Sequence, residues 1–338
     1  MEIISKYKNK IAMGIFTIAV IIFIIFLSLK FSGNSNKEVT YDFSKPYSKI
    51  EFIKDEMYIF EKNKFSRFNK NGKLKLEKDI ENNGKIRVSN DVIYSLMSNE
   101  IIMYSKNFDE IKRVSLDNEI EDFFIENNKI ILINNTSFKI YDENLSELYT
   151  NDDVQNPGYI KFSKSKNNFA YTDYVKSENS IKSRFHILNS KDKSTVCDFT
   201  FFNEFIIEFG FVNDSDDKLF VATNEKLYLF EKNIIKSQYY IKNLKNVIYH
   251  SGKIYLFSDD LKVFNAKDLT LEKTVEIGND YVKSYILSKE ILLVKNNGYV
   301  LVDKSSLKKK EFSAEIIDSI QSEDSVYLIQ KDKYKKIK

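Results

Sequence analysis

Residues 251–277, SGKIYLFSDDLKVFNAKDLTLEKTVEI, decide the fold. They read as three short strands, KIYLF, LKVFN and LEKTVEI, separated by polar turns. Successive strand residues point to opposite faces, so Ile254 and Leu256 face one way and Tyr255 and Phe257 the other. Both faces are apolar, as in a strand held between two neighbouring layers. In LEKTVEI, Leu271, Val275 and Ile277 alternate with Glu272, Thr274 and Glu276, which makes one face wet and discourages edge-to-edge pairing.

The same unit recurs along the chain. EMYIF, VIYSL, KIILI, NFAYTDYV, KLFVA, KIYLF, EILLV and SVYLI begin at 56, 92, 129, 168, 218, 253, 290 and 325, a period in the upper thirties with one longer interval of 50. That period suits a four-stranded blade of a β-propeller. A fourth strand precedes each hairpin, as in KIEFI (49–53), KIRVS (85–89), YIKFS (159–163) and EFIIEFGFV (204–212). The chain is therefore expected to be all-β, an eight-bladed propeller over 38–338, with seven blades as the alternative. Expected blades cover approximately 47–80, 85–116, 120–151, 159–201, 204–241, 244–277, 282–313 and 316–338. The last unit lacks its outer strand, and VTYDF (39–43) is available to complete it and lock the ring. Pro46 and Pro157 fall between units, while Gly72, Gly84, Gly252 and Gly298 sit at predicted turns.

Ahead of the repeats, IAMGIFTIAVIIFIIFLSL (11–29) carries no charge and no proline. At 1.5 Å per residue it makes about 28 Å of helix, enough to cross a bilayer's hydrocarbon core. The run is longer than a signal-peptide core and no A-x-A-like cleavage site follows, so an uncleaved anchor is favoured over a cleaved signal. By the lysine bias of Lys6, Lys8 and Lys10, residues 1–10 are expected in the cytoplasm, 30–37 as a short linker, and the propeller outside.

Composition excludes several classes of function. The net charge of +3 misleads, because Lys6, Lys8, Lys10, Lys30 and Lys37 against Glu2 concentrate +4 in the first 37 residues and leave −1 on the rest. A nearly neutral body with four arginines is no nucleic-acid binder. The single cysteine, Cys197, excludes an internal disulfide framework and reads as a small apolar strand residue. Tyr (21) and Phe (27) are abundant and Trp is absent, which suits a β-core filled by aromatics.

KIYLF…LKVFNAKDLTLEKTVEI resembles the repeat of the quinoprotein-type (PQQ-like) propellers, with Asn265, Ala266, Lys267 and Asp268 in the turn after the strand pair. The tryptophans that dock blades in that family, and its Gly-Lys-x-x-x-Trp ending, are missing here. The resemblance implies the fold and not quinone chemistry. The whole chain resembles a bacterial group of single-anchor proteins with propeller-like outer domains of unknown function, and its Ile-, Lys- and Asn-rich composition resembles that of an AT-rich Gram-positive bacterium.

Side chains for catalysis are few. His186 and His250 each read as strand residues, and no HExxH-like or G-x-S-x-G pattern occurs, so neither a cofactor nor a metal is expected. Asp214, Asp216 and Asp217 in NDSDDK (213–218) lack the central Gly and bidentate Glu of a calcium loop and read as a solvated turn. The fourth unit, however, carries about a dozen extra residues, mostly DYVKSENSIKSR (173–184), read as a loop on the face that also holds the connections between blades. Extra loop length is where recognition is usually carried. Tyr174, Lys176, Glu178 and Asn179, with Asp152, Asp153 and Gln155 of the neighbouring NDDVQNPG, are the candidate contact residues. The expected function is a non-enzymatic binding or scaffolding module for a protein or cell-envelope partner at the bacterial surface. The alternative is an extracellular hydrolase or lyase for cell-wall or host polysaccharide, with carboxylates in the central funnel.

Overall fold

Eight antiparallel sheets of four strands account for all the regular structure that the computed structural model shows over residues 39–40, 49–80, 84–177, 180–331 and 333–338. The expected transmembrane segment at 11–29, and the residues on either side of it, lie outside the described residues. Among the described residues no helix is long and apolar enough to cross a membrane.

Seven sheets are simple meanders over 49–79, 85–115, 122–151, 160–202, 206–240, 246–276 and 281–313, numbered blades 1 to 7. The first strands of successive blades lie side by side around the axis, so each meander runs from the centre outwards. Blade 8 has only three consecutive strands, within 318–337, and its outer strand comes from Val39–Thr40, pairing Val39 with Tyr334 and Thr40 with Lys333. The stretched fourth unit and the short last one both form blades, which excludes the seven-bladed alternative.

Burial shows why a single blade cannot stand alone. Ile254 and Leu256 pack with Phe220, Leu227 and Leu229 of blade 5, whereas Tyr255 and Phe257 pack with Ile291, Leu293 and Val300 of blade 7. The two-faced strand is thus sealed from both sides. The expected dry face of LEKTVEI is less complete: Ile277 is buried, but Leu271 is 42% exposed, since it starts the outermost strand with no further strand beyond it.

Turn chemistry follows the sequence closely. Between first and second strands, Lys54 and Asp55, Asn90 and Asp91, Asn127 and Asn128, and Ser251 and Gly252 all have positive φ at both positions. That is the type I′ pattern matched to twisted hairpins, and Asn and Asp tolerate it best among residues with a side chain. Gly298 departs from the turn role expected for it. It opens a strand, and a Cβ there would sit 2.2 Å from the Phe312 carbonyl oxygen, so close backbone approach requires the glycine.

The ring closes between blades 8 and 1. Phe52 stacks on Tyr327 at 3.7 Å between centroids, 2° from parallel, inside a cluster with Ile50, Met57, Ile59, Ile329 and Tyr334. At its rim Asp55 accepts hydrogen bonds from the Tyr327 hydroxyl and the Lys336 ammonium. Replacing Phe52 by Ala should lower stability by about 3–5 kcal/mol, the usual cost of truncating a buried aromatic. Equilibrium denaturation of the variant checks this; an unchanged midpoint would show that the seam contributes nothing to the ring.

Candidate functional site

In a meander blade, the turn between second and third strands and the link to the next blade emerge on the same side of the ring, here termed the linking face. Blade 4 projects furthest there. Its second and third strands, Asn168–Ser177 and Ser180–Asn189, are ten residues each, and its fourth is Thr195–Phe202. The extra residues 173–177 and 180–184 are therefore strand and not loop. Their ladder runs unbroken from Asn168 opposite Asn189 to Ser177 opposite Ser180. The pattern TDYVKS against SIKSRF supplies the alternating aromatic and β-branched residues that a two-stranded extension needs.

Tyr174 ties this extension to the body. Its backbone N–H donates to the Gln155 carbonyl at 2.9 Å, and its own carbonyl accepts from Asn156 Nδ2 at 3.1 Å. Its hydroxyl donates to the Ile206 carbonyl at 2.7 Å, so one residue joins the 3-to-4 link, the long hairpin and the first strand of blade 5. Gly158 lies beneath the ring, where a Cβ would meet Tyr174 at 2.9 Å. Burial pushes the Tyr174 phenol up.

Of the candidate contact residues, the structure brings Gln155 and Tyr174 into direct contact, but through backbone atoms. Asp152, Asp153 and Lys176 are exposed. Glu178 and Asn179 lie outside the described residues. The most prominent side chains on this face are others. Four of the five exposed large aromatics among the described residues, Tyr159 (49%), Phe202 (65%), Phe205 (42%) and Tyr240 (71%), occupy the links and strand ends around blades 4 and 5. A signal for one of them was present in FTFF (199–202), where alternation buries Phe201 and leaves Phe202 facing the other way.

A polar network stiffens the outer half of the hairpin. The Asp173 side chain is 1% exposed and receives Arg184 Nε at 2.8 Å together with a second guanidinium contact. His186 lies between Asp173, 3.3 Å from Nε2, and Asp198 at Nδ1, and its ring stacks on Tyr171. Burial pushes the Asp173 carboxyl up, yet His186 and Arg184 together hold it below the ordinary carboxylate range. His186, read as a plain strand residue, is a strand residue that bridges two aspartates. Cys197 fits its apolar reading: it is buried, and burial pushes its thiol up to about 12. The NDSDDK carboxylates go to separate partners, Asp214 to Lys164 and Asp216 to Ser165 and Asn167.

The axis carries charge. Lys85 and Arg87 lie 3.5 and 3.6 Å from Asp122, Lys161 lies 3.8 Å from Glu208, and Lys283 lies 2.7 Å from Asp318, each pair joining the inner strands of consecutive blades. Burial pushes up the carboxyls of Glu126 and Glu208, against the opposing pull of Lys161.

Two outcomes follow from these networks. Arg184→Met should cost about 2–3 kcal/mol, somewhat less than for a fully buried pair because its guanidinium is 34% exposed, and adding Asp173→Asn should recover part of that loss. Denaturation of the single and double variants tests this, and additive losses would count against the pairing. At Glu126 the folded carboxyl titrates above its unfolded value, so its contribution to stability is full below the unfolded pKa and is lost as pH rises through the folded one. Glu126→Gln should thus be more stable than the parent at pH 7.5 and not at pH 4; a gap that is equal at both pH values would refute the burial argument.

No model of a known protein family and no curated protein sequence matches this chain. Solved structures do. BamB from Moraxella catarrhalis is similar at 12% identity and TM-score 0.57, over 90% of this chain and 96% of that one. The C-terminal WD40 domain of Sif2 is similar at 12% identity and TM-score 0.62, over 89% and 97% respectively. Sqt1 from Saccharomyces cerevisiae is similar at 8% identity and TM-score 0.64, over 90% and 99%. At such identities the likeness speaks for the fold alone, and that fold is the β-propeller.

Proposed function

We propose that the chain is a non-enzymatic protein-binding module, tethered to a bacterial cell membrane by residues 11–29 and displayed on the outer side. The observation that carries this reading is the group of exposed aromatics on the linking face beside the braced blade 4 hairpin. Large aromatic side chains left exposed at the links and strand ends of two neighbouring blades offer apolar surface of the kind that marks interaction sites, and aromatic side chains dominate the centres of protein interfaces. The anchor is supported by the uncharged 19-residue stretch in the sequence and the orientation by its lysine bias. The likeness of the repeat to quinoprotein-type propellers bears on the scaffold and brings no cofactor with it.

A second reading, hydrolysis or lysis of a polysaccharide at the axis, draws on the half-buried carboxyls of Glu126 and Glu208 beside Lys161. Release of reducing ends from peptidoglycan by the purified chain, lost in Glu208→Gln, would install this reading in place of the first.

The binding reading is tested with a photoreactive phenylalanine at position 205 or at Ile111, an exposed outer-strand position of blade 2, in the full chain in its own membrane. Position 205 should give a protein adduct of a single size that disappears when Phe202→Asp is added, and position 111 should not. Equal labelling from the two positions would sink the proposal.

A further inference from the structure

We infer that the partner presents a short polypeptide segment in which an apolar side chain stands next to a carboxylate, and that it reaches the blade 4–5 region from the side turned away from the bilayer. The inference rests on the protein-binding reading and adds the chemistry and direction of approach.

Direction comes from the closing strand. Val39–Thr40 runs antiparallel to the third strand of blade 8, and therefore towards the linking face, like the outer strand of every other blade. The N-terminal end of that strand, Val39, accordingly lies at the opposite face. In a ring of eight, blade 4 stands across the axis from blade 8. Four strands about 4.8 Å apart on each side of the axis make the ring roughly 40 Å across. The nine residues between Leu29 and Val39 reach only about 30 Å when fully extended. An anchor at 11–29 would thus be separated from the aromatic region by both the width and the thickness of the ring, which argues against the lipid of its own membrane as the occupant.

Chemistry comes from the side chains beside the two most exposed rings. Lys182 Nζ lies 5.6 Å from the Phe202 ring centroid, and Lys226 Nζ lies 5.1 Å from that of Tyr240. Lys226 is also held by Glu204 at 3.4 Å. Among the described residues no carboxylate lies within ion-pair distance of Lys182, and its ammonium rests against the exposed Phe202 ring. An apolar side chain laid on Phe202 would place an adjacent carboxylate against Lys182, and a charge-assisted contact beside a buried ring is the kind that specifies an interface.

The test selects a random dodecapeptide phage library on the full chain in phosphatidylcholine nanodiscs. Enriched peptides should place Leu, Ile or Phe within two positions of Asp or Glu. Their binding should fall at least tenfold in Lys182→Glu, at a half-buried position, and in Phe202→Ala, at an exposed one, both with folding verified by circular dichroism, and stay unchanged in Ile111→Ala. A basic or purely polar consensus, or full binding to Lys182→Glu, overturns the inference. So does retention on purified peptidoglycan that depends on Phe202, which would make the ligand a glycan. A probe at Phe202→Cys quenched by brominated lipid as strongly as one at Asp324→Cys, both in a Cys197→Ser background, would overturn the direction. If the single-size adduct from position 205 persists while these results fail, only this inference falls; if the adduct is absent, the binding reading falls with it.

Discussion

Every blade of this propeller is a sheet with two apolar faces, and that constraint governs the rest of the molecule. A strand such as KIYLF has no side to offer to water, so it is stable only between two like neighbours. An open row of such sheets would leave an apolar face at each end. Closure removes both ends at once, and the stack of Phe52 on Tyr327 with the Asp55 contacts at its edge is where the two ends meet. Around the axis, where the inner strands crowd together, apolar packing gives way to pairs such as Lys283 with Asp318, which match one blade to the next by charge and hydrogen bonding.

Blade 4 departs from this regularity in a controlled way. Its extension reaches beyond the shelter of its neighbours, and buried polar contacts take over from apolar burial. Tyr174 makes three hydrogen bonds to two other segments, and Asp173 is enclosed by Arg184 and His186. Such an arrangement holds a projecting hairpin in one position, and a rigid platform loses little conformational entropy when it binds.

Much of this was legible in the chain. The two-faced strands, the eight-fold repetition and the Asn- and Asp-rich hairpin turns led to a propeller because each is a local rule that the ring satisfies everywhere. The outer strand at Val39–Thr40, the described part of VTYDF, could be read because the last unit was visibly short of one. What eluded the sequence was mostly parity and distance. The residues 173–184 resemble a polar loop in composition, and only their pairing shows the alternation TDYVKS against SIKSRF to be a ladder. His186 is one of two histidines in the chain, and nothing in its immediate neighbours announces Asp173 or Asp198, which reach it from adjacent strands. Tyr240 lies at a strand end, where a pattern of strands cannot tell a core side chain from an exposed one, whereas parity in FTFF already turns Phe202 away from the buried Phe201.

The closing strand also sets a schedule for folding. Seven interfaces join blades that follow one another directly in the chain, and these contacts form between residues close in sequence. The eighth joins Asp55 to Tyr327 and Lys336, across 272 and 281 residues. During synthesis at about 5–20 residues per second, the segment around Val39 waits roughly 15–60 s before its partner strand exists. Throughout that interval blade 1 carries an unsatisfied apolar face beside Phe52, so the nascent chain is most vulnerable to misassociation at its first blade.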